Sequence, residues 1–418
     1  MRLSAAVPLL LASAPLAFAQ NVAVLTNLLQ ALTSSGHSRL ATLAGQLNST
    51  DAGRSVLSQL SNGGPYVLFA PTDSAFESAP SNITSNADLL ADVVAYHIVQ
   101  GNFTGALAKY PNTTLGRTLL SDPTYVQLEG NRSQVVAWAI REDNKTHVLN
   151  QRNDTTVSNS TTVGNITINT IDHVLVIPES LSATIPADNI SLTGVETALR
   201  AVQFPTFNST TNQTGSSSLF DILNSQLHGF TFFAPNTSAI QEASSALSSL
   251  QSNTTALQAL FENHLINGTT VYSPLLSSQS YTSAAGESFS FTFNATGHWV
   301  TSGNVTAQVI QPDVLLPNGV IHVIDRVLTN TQSDSAAASS AASSASSAAT
   351  ESTSATAPIG FSATATLAGP SGSTQSSSSS HTSNAASGVV YAMPSFTQVM
   401  SVGIAILGAV VGGGLVFA

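Results

Sequence analysis

Val67-Leu68-Phe69-Ala70-Pro71-Thr72-Asp73-Ser74-Ala75-Phe76 returns, with its proline 164 positions further on, as Phe232-Phe233-Ala234-Pro235-Asn236-Thr237-Ser238-Ala239-Ile240. In each copy an apolar run reads as a strand. Pro71 and Pro235 must end it, because proline has no amide to give to a central ladder. Thr72 or Asp73 in the first copy, and Asn236 or Thr237 in the second, can accept from the orphan amides of a helix that starts at once. Phe76 and Ile240 then turn the new helix's apolar side inward.

The surroundings repeat as well. Ahead of the first copy, Val24, Leu25, Leu28, Leu29 and Leu32, then Leu40, Leu43 and Leu47, fall at helical spacing with Gly36 as a stop between them. Behind it, Leu89, Leu90, Val93, Val94, Tyr96, His97 and Ile98 mark a helix with His97 on its apolar stripe. Leu257, Leu260, Phe261, His264 and Leu265 do the same for the second copy, with His264 in the matching place. Strands are expected at Tyr125 to Leu128, Val135 to Ile140 and Val148-Leu149, and later at Phe289 to Phe293, His298 to Val300 and Val305 to Ile310. Asn318-Gly319 signals a turn. Two closing strands, Ile166 to Leu175 and Val320 to Leu328, align on Asp172 and Asp325, and there His322 stands opposite Asn169.

Composition narrows the class. Charged residues are 8% of the 418-residue chain, against about 25% in an ordinary soluble protein. Sugar is the natural substitute, and seventeen Asn-x-Ser/Thr tripeptides are present. Sixteen are candidate glycosylation sites: Asn48, Asn82, Asn102, Asn112, Asn131, Asn144, Asn153, Asn159 and Asn165, then Asn189, Asn208, Asn212, Asn253, Asn267, Asn294 and Asn304. The seventeenth, Asn236, is expected to stay bare, because capping and a glycan compete for one side chain. Arg2, the run Leu9 to Leu16 and Ala17-Phe18-Ala19 read as a signal peptide over 1–19. The alternative, a buried helix, would have to hold Pro8 and Pro15 at about 3 kcal/mol each. There is no cysteine, so each folded unit must stand on burial, and thiol chemistry is excluded. Between 186 and 330 the only bases are Arg200 and Arg326 against eight acids, which excludes a nucleic-acid partner.

From 331 to 383 the chain is mostly Ser, Ala and Thr, a composition expected to form a disordered stalk. Such a stalk would span about 40 Å if flexible and up to about 170 Å if stiffened by sugar. Residues 384–418 combine small residues, a spacer and an apolar tail with no charge after it. This fits a glycosylphosphatidylinositol signal, with lipid attachment at Asn384 or Ser383.

Taken together, Phe69 to Phe76, Val94-Ala95-Tyr96-His97-Ile98-Val99 and Asn318 to Leu328 resemble the fasciclin domain. Two copies would cover 21–180 and 187–330, and the whole layout looks like fungal cell-surface members of the group. The resemblance implies an α+β fold, each domain a β-sheet wedge or sandwich with helices packed around it. It implies adhesion or matrix contact with no catalytic, cofactor or metal residue. In some animal members the Tyr-His helix segment is linked to integrin binding; here Tyr96-His97 matches it and Asn263-His264 departs from it.

Phe69, Pro71, Thr72, Asp73, Phe76, Tyr96, His97, Asp172, Phe233, Pro235, Asn236, His264, His322 and Asp325 are therefore read as fold-motif residues. The two helix histidines are expected to bond a main-chain carbonyl in the core, and the two aspartates to bond turn amides. Phe204-Pro205-Thr206-Phe207 and the polar run after it read as a long surface loop. The functional expectation is a non-catalytic adhesion, cell-wall or matrix glycoprotein, lipid-anchored at the outer face of the plasma membrane. Its partners would be surface or matrix proteins or polysaccharides. The alternatives are a secreted carbohydrate-active enzyme, a lipid-pocket protein on the same scaffold, or a vacuolar glycoprotein. No G-x-S-x-G elbow, H-E-x-x-H, phosphate loop or H-x-H pair occurs to support an enzyme.

Overall fold

The computed structural model describes residues 14–187, 192–208, 213–294, 297–350 and 358–360. Each proline-ended stretch is a central strand of its own seven-stranded sheet. The first sheet contains β1 (Tyr66–Pro71), β2 (Ile98–Gln100), β3 (Thr114–Arg117), β4 (Val135–Ile140), β5 (Thr146–Val148), β6 (Thr155–Val163) and β7 (Ile166–Ile171), in the order β2-β1-β7-β6-β5-β4-β3. A two-stranded hairpin, β8 (Gln203–Asn208) and β9 (Gln213–Ser218), precedes the second sheet. That sheet contains β10 (Phe230–Pro235), β11 (Leu265–Asn267), β12 (Tyr281–Thr282), β13 (Ser288–Asn294), β14 (Gly297–Ser302), β15 (Val305–Leu316) and β16 (Gly319–Ile324). Its order, β11-β10-β16-β15-β14-β13-β12, is the same path through space. The repeat is thus a whole α+β domain, with helices packed against each sheet.

In both domains the strand that enters the corner pairs in parallel with the strand that closes the domain. Parallel neighbours need a long crossover, and here the rest of the domain supplies it. The register sets Phe69 beside Asn169 and Phe233 beside His322. Phe69, fully buried, meets Trp138 edge-on at 5.4 Å. Phe233, equally buried, packs on Phe289 at 5.1 Å and stacks on His322 at 5.5 Å.

The corner forms as its residue types require. Thr72 Oγ1 accepts from Ala75 N at 3.2 Å, and Asn236 Oδ1 accepts from Ala239 N at 2.7 Å. Asp73 is not the cap. It accepts from Arg39 N at 2.8 Å and from the Ser38 hydroxyl, closing the start of the helix Ser38–Leu47. That helix needs help because the residue at its own cap position, His37, gives no side-chain bond there. His37 is fully buried and bonds the Pro71 carbonyl at 3.0 Å and Thr170 Oγ1 at 3.1 Å, a tie the sequence does not announce.

Several expectations give way to tertiary context. Tyr125 to Leu128 is a loop; the strand that pairs with β4 is β3, upstream. β6 is a strand without apolar alternation to mark it, a run of Thr, Ser, Asn and Val with its middle open to solvent. The turn at Asn318-Gly319 sits one residue earlier, since Leu316 pairs with Gly319. Position 319 is glycine although it lies in a strand, because a Cβ there would come within 2.7 Å of Phe230. The expected loop at 204–218 is the β8–β9 hairpin, with Phe204 buried.

Leu181 and Ile185 pack into the second core, which therefore begins ahead of 187. Ser335–Ala349, expected to be disordered stalk, is a helix capped by Asp334, whose carboxyl accepts from Ala336 N and Ala337 N at 2.9 and 3.0 Å. Alanine's helix propensity and that cap favour the helix. The anchor signal and Asn384 lie outside the described residues, as does most of the predicted signal peptide. Within the described residues no helix is long and apolar enough to cross a membrane.

Candidate functional site

The matched histidines make the same pair of bonds. His97 Nδ1 bonds the Val93 carbonyl at 2.7 Å, and its Nε2 accepts from Leu175 N at 2.9 Å. His264 Nδ1 bonds the Leu260 carbonyl, and its Nε2 accepts from Leu328 N, each at 2.9 Å. An accepting Nε2 requires the proton on Nδ1, so both rings are neutral. Each ties its helix to the chain just past the closing strand. Burial lowers both pKa values to about 4, with the carbonyl bond pulling weakly the other way. Tyr96 is also buried, at 1% exposure beside His97 at 3%. The Tyr-His pair is therefore a core element here and presents nothing to a partner.

Asp172 and Asp325 share a role too, though they bond strand amides and not turn amides. Asp172 Oδ1 accepts from Thr156 N at 2.9 Å, and Asp325 Oδ1 from Gln308 N at 2.7 Å. Both amides precede a register shift, between Val157 and Asn159 in β6 and between Val309 and Gln311 in β15. A bulge interrupts the ladder, and the carboxyl takes the amide beside it. Partial burial pushes the Asp172 pKa up, but bonds from Thr156 and His173 outweigh it and hold the carboxyl below its ordinary range.

A buried polar cluster lies between the domains, and of its members only His322 stands among the fold-motif residues. Asp313 is fully buried and has a φ of 57°. Its carboxyl accepts from Ser273 N and Thr113 Oγ1, each at 2.7 Å, and from the Ser273 hydroxyl. Its own amide donates to His322 Nδ1 at 3.2 Å, and its carbonyl accepts from Asn150 Nδ2. His322 Nε2 donates to the Val271 carbonyl at 2.9 Å. Burial lowers the His322 pKa against the opposing pull of Asp313 and that carbonyl. Around the cluster, Leu115, Val135, Ala137, Ala139 and Leu149 of the first domain pack with Tyr272, Leu315 and Val320 of the second. Glu129 reaches across to Thr270 Oγ1 at 2.7 Å, and Gln134 to the Leu316 carbonyl at 3.0 Å. A signal existed in Asp313, the one charged residue of β15, followed directly by Val314-Leu315-Leu316.

Among the described residues no group of His, Asp and Glu could hold a metal ion. An open groove of about 690 Å³ runs between the helices after the first corner and the interdomain linker, walled by Ala79, Ile83, Leu89, Val93, Tyr125 and Ile177.

The fasciclin domain model matches residues 38–178 and 203–330. The chain belongs to the fasciclin domain family. A fasciclin-like arabinogalactan protein of Arthroderma benhamiae is 26% identical over 307 residues, 71% of this chain; the aligned part spans 65% of that relative's length. An uncharacterised protein of Synechocystis is 41% identical over 51 residues, 11% of this chain and 38% of its own. The solved domain pair from the insect cell adhesion molecule Fasciclin I shares 19% identity at a TM-score of 0.32, covering 71% of this chain and 97% of its own.

The sequons of the two fasciclin domains lie mostly on exposed asparagines. Fourteen sequon asparagines have described side chains, and twelve of them are exposed. Asn263, Asn318 and Asn330 are buried, and none of them begins a sequon. Asn236 and Asn267 are the half-buried pair. The cap at Asn236 uses Oδ1 and so leaves Nδ2 available, but the side chain is half-buried and the next residue is packed against Gly194. Thr237 accepts from Gly194 N at 3.2 Å, and a Cβ on Gly194 would come within 3.0 Å of the Thr237 Cα. Asn267 lines a crevice against Ala338 and Ala341. Glycopeptide mapping is expected to find both unmodified and the exposed sites occupied; a glycan on either would show these contacts open in the native chain.

Proposed function

We propose that this fasciclin-domain protein is a non-catalytic glycoprotein of the cell surface or cell wall. It is secreted through a signal peptide and held by a lipid anchor near Asn384. The observation that carries the reading is the exposure of the sequons: twelve of the fourteen described are open to solvent, and the buried asparagines begin none. That arrangement suits a folded surface meant to carry sugar in place of charge. The fungal relative's name, a fasciclin-like arabinogalactan protein, agrees with it. Contacts of such a surface are individually weak, and many copies on one membrane would raise adhesion through avidity. Partners are matrix or surface proteins or polysaccharides.

Treating intact cells with phosphatidylinositol-specific phospholipase C is expected to release the protein and lower cell attachment. Retention on the membrane removes the anchor; release with unchanged attachment removes adhesion. The apolar groove under Tyr125 favours a second reading, a lipid carrier. Saturable binding of a fluorescent fatty acid, lost on Leu89→Arg with the fold retained, would support that reading over adhesion.

A further inference from the structure

The chain does not leave the second domain when its last strand ends. Asn263 Nδ2 donates to the carbonyls of Asn330 and Gln332 at 3.1 and 2.9 Å, and Asp334 N donates to the Ala285 carbonyl at 2.8 Å. The helix Ser335–Ala349 then crosses from one domain to the other over three glycines. A Cβ on Gly286 would lie 1.9 Å from the Asp334 carbonyl oxygen, one on Gly268 would lie 3.0 Å from Ala345 Cβ, and one on Gly130, in the first domain, 2.4 Å from the Ala349 carbonyl oxygen. All three have positive φ, at 95°, 75° and 66°. Further on, Ile359 N donates to the Leu115 carbonyl of β3 at 3.0 Å, and its side chain joins the apolar cluster between the domains.

We propose that these two docked pieces, 334–349 and 358–360, form a releasable strap. While docked, it holds the seam between the domains and keeps the tether short. Tension from the C-terminal side peels it away before either domain unfolds. The reason is the unequal strength of the contacts. The strap is held by alanine methyls, close approaches to glycine, a few main-chain bonds and one isoleucine. Each domain is held by a core that includes several wholly buried phenylalanines or a Trp-Phe pair. A pull from the C-terminus reaches Ile359 first and Ala349 next, so the contacts fail one at a time. The 27 residues from Asp334 to Gly360 would add up to about 95 Å of length. The proposal rests on the anchored reading only for the source of the tension.

The chain has no cysteine, so Ser55→Cys and Ser371→Cys give unique handles for optical tweezers on the full chain. Native protein is expected to lengthen reversibly by up to about 95 Å at low force, ahead of the domain unfolding steps. Ala345→Arg, which drives a long side chain against Gly268, should abolish that first step. Ser346→Arg, next along the helix but exposed, should leave it intact. Hydrogen exchange at 338–349 should follow the same split, at least tenfold faster in Ala345→Arg than in Ser346→Arg. No lengthening before the domains unfold, or identical behaviour of the two arginine variants, overturns the strap. Phospholipase release from cells reports on the anchor separately.

Discussion

Asp313→Ala is expected to lower the stability of the domain pair by about 3 to 5 kcal/mol, because it strands buried donors. Ser273 N loses its acceptor in a site closed to water, and of the Ser273 and Thr113 hydroxyls, which lie 2.9 Å apart, only one can then donate to the other. The backbone there has a φ of 57°, a region that aspartate tolerates better than alanine because its short polar side chain can bond locally. Asp313→Gly separates the two causes: it relieves the backbone and should recover about 1 kcal/mol. Asp313→Asn keeps one accepting oxygen but turns an amide toward groups that already donate, and should fall between native and alanine. Chemical denaturation measures all three. Loss of the cluster should also uncouple the domains, splitting one unfolding transition into two. A cost below about 1 kcal/mol, with a single transition retained, would mean that the apolar cluster alone holds the seam.

The second large effect is acid sensitivity, and here opposing groups must be added. His97 and His264 have folded pKa values of about 4, below the ordinary 6.5. Their stabilisation is complete above 6.5 and is lost as the pH falls toward 4, up to about 3 kcal/mol for each ring. Two carboxyls act the other way. Burial raises Asp92 to about 6, helped by Asp122 and Asp88, and raises Glu262 to about 8. A raised carboxyl destabilises the fold as the pH rises, so acid restores stability between about 8 and 4.5 for Glu262 and between about 6 and 3.8 for Asp92. The two contributions are of similar size. From pH 7 to 5 the native melting temperature should therefore fall only slightly, through His322 and His298, whose pKa values burial also lowers, where the histidines alone would make it fall steeply. The His97→Gln, His264→Gln variant, less stable at pH 7, should gain melting temperature across the same interval. Parallel profiles for the two proteins would take the histidines out of the account.

Local order was readable wherever one residue type can serve only one backbone. Proline closed the strands at 71 and 235, Thr72 and Asn236 capped what followed, and Gly36, with a φ of 84°, stopped a helix. The apolar stripes put His97 and His264 in the core, and the order of elements twice over disclosed a repeated domain. Signals that depend on a distant partner misled or stayed silent. Asp73 caps a helix 34 residues upstream of it and not its own. Tyr125 and Val126 have strand propensity but no neighbouring strand, while the polar β6 has neighbours on both edges. The Ser-Ala stretch after 334 has a composition that suits a free stalk, yet part of it is a docked helix, because glycines on two domains leave room for its backbone.

The amino-acid sequence alone thus determined the family, the α+β class, the two-domain repeat and the number of sequons, all set by residues acting on their near neighbours. Tertiary structure decided the strand order, the fate of the Tyr96-His97 pair, the Asp313 cluster between the domains and the strap that crosses them. Those features depend on which surfaces lose water together, and chain spacing does not record that.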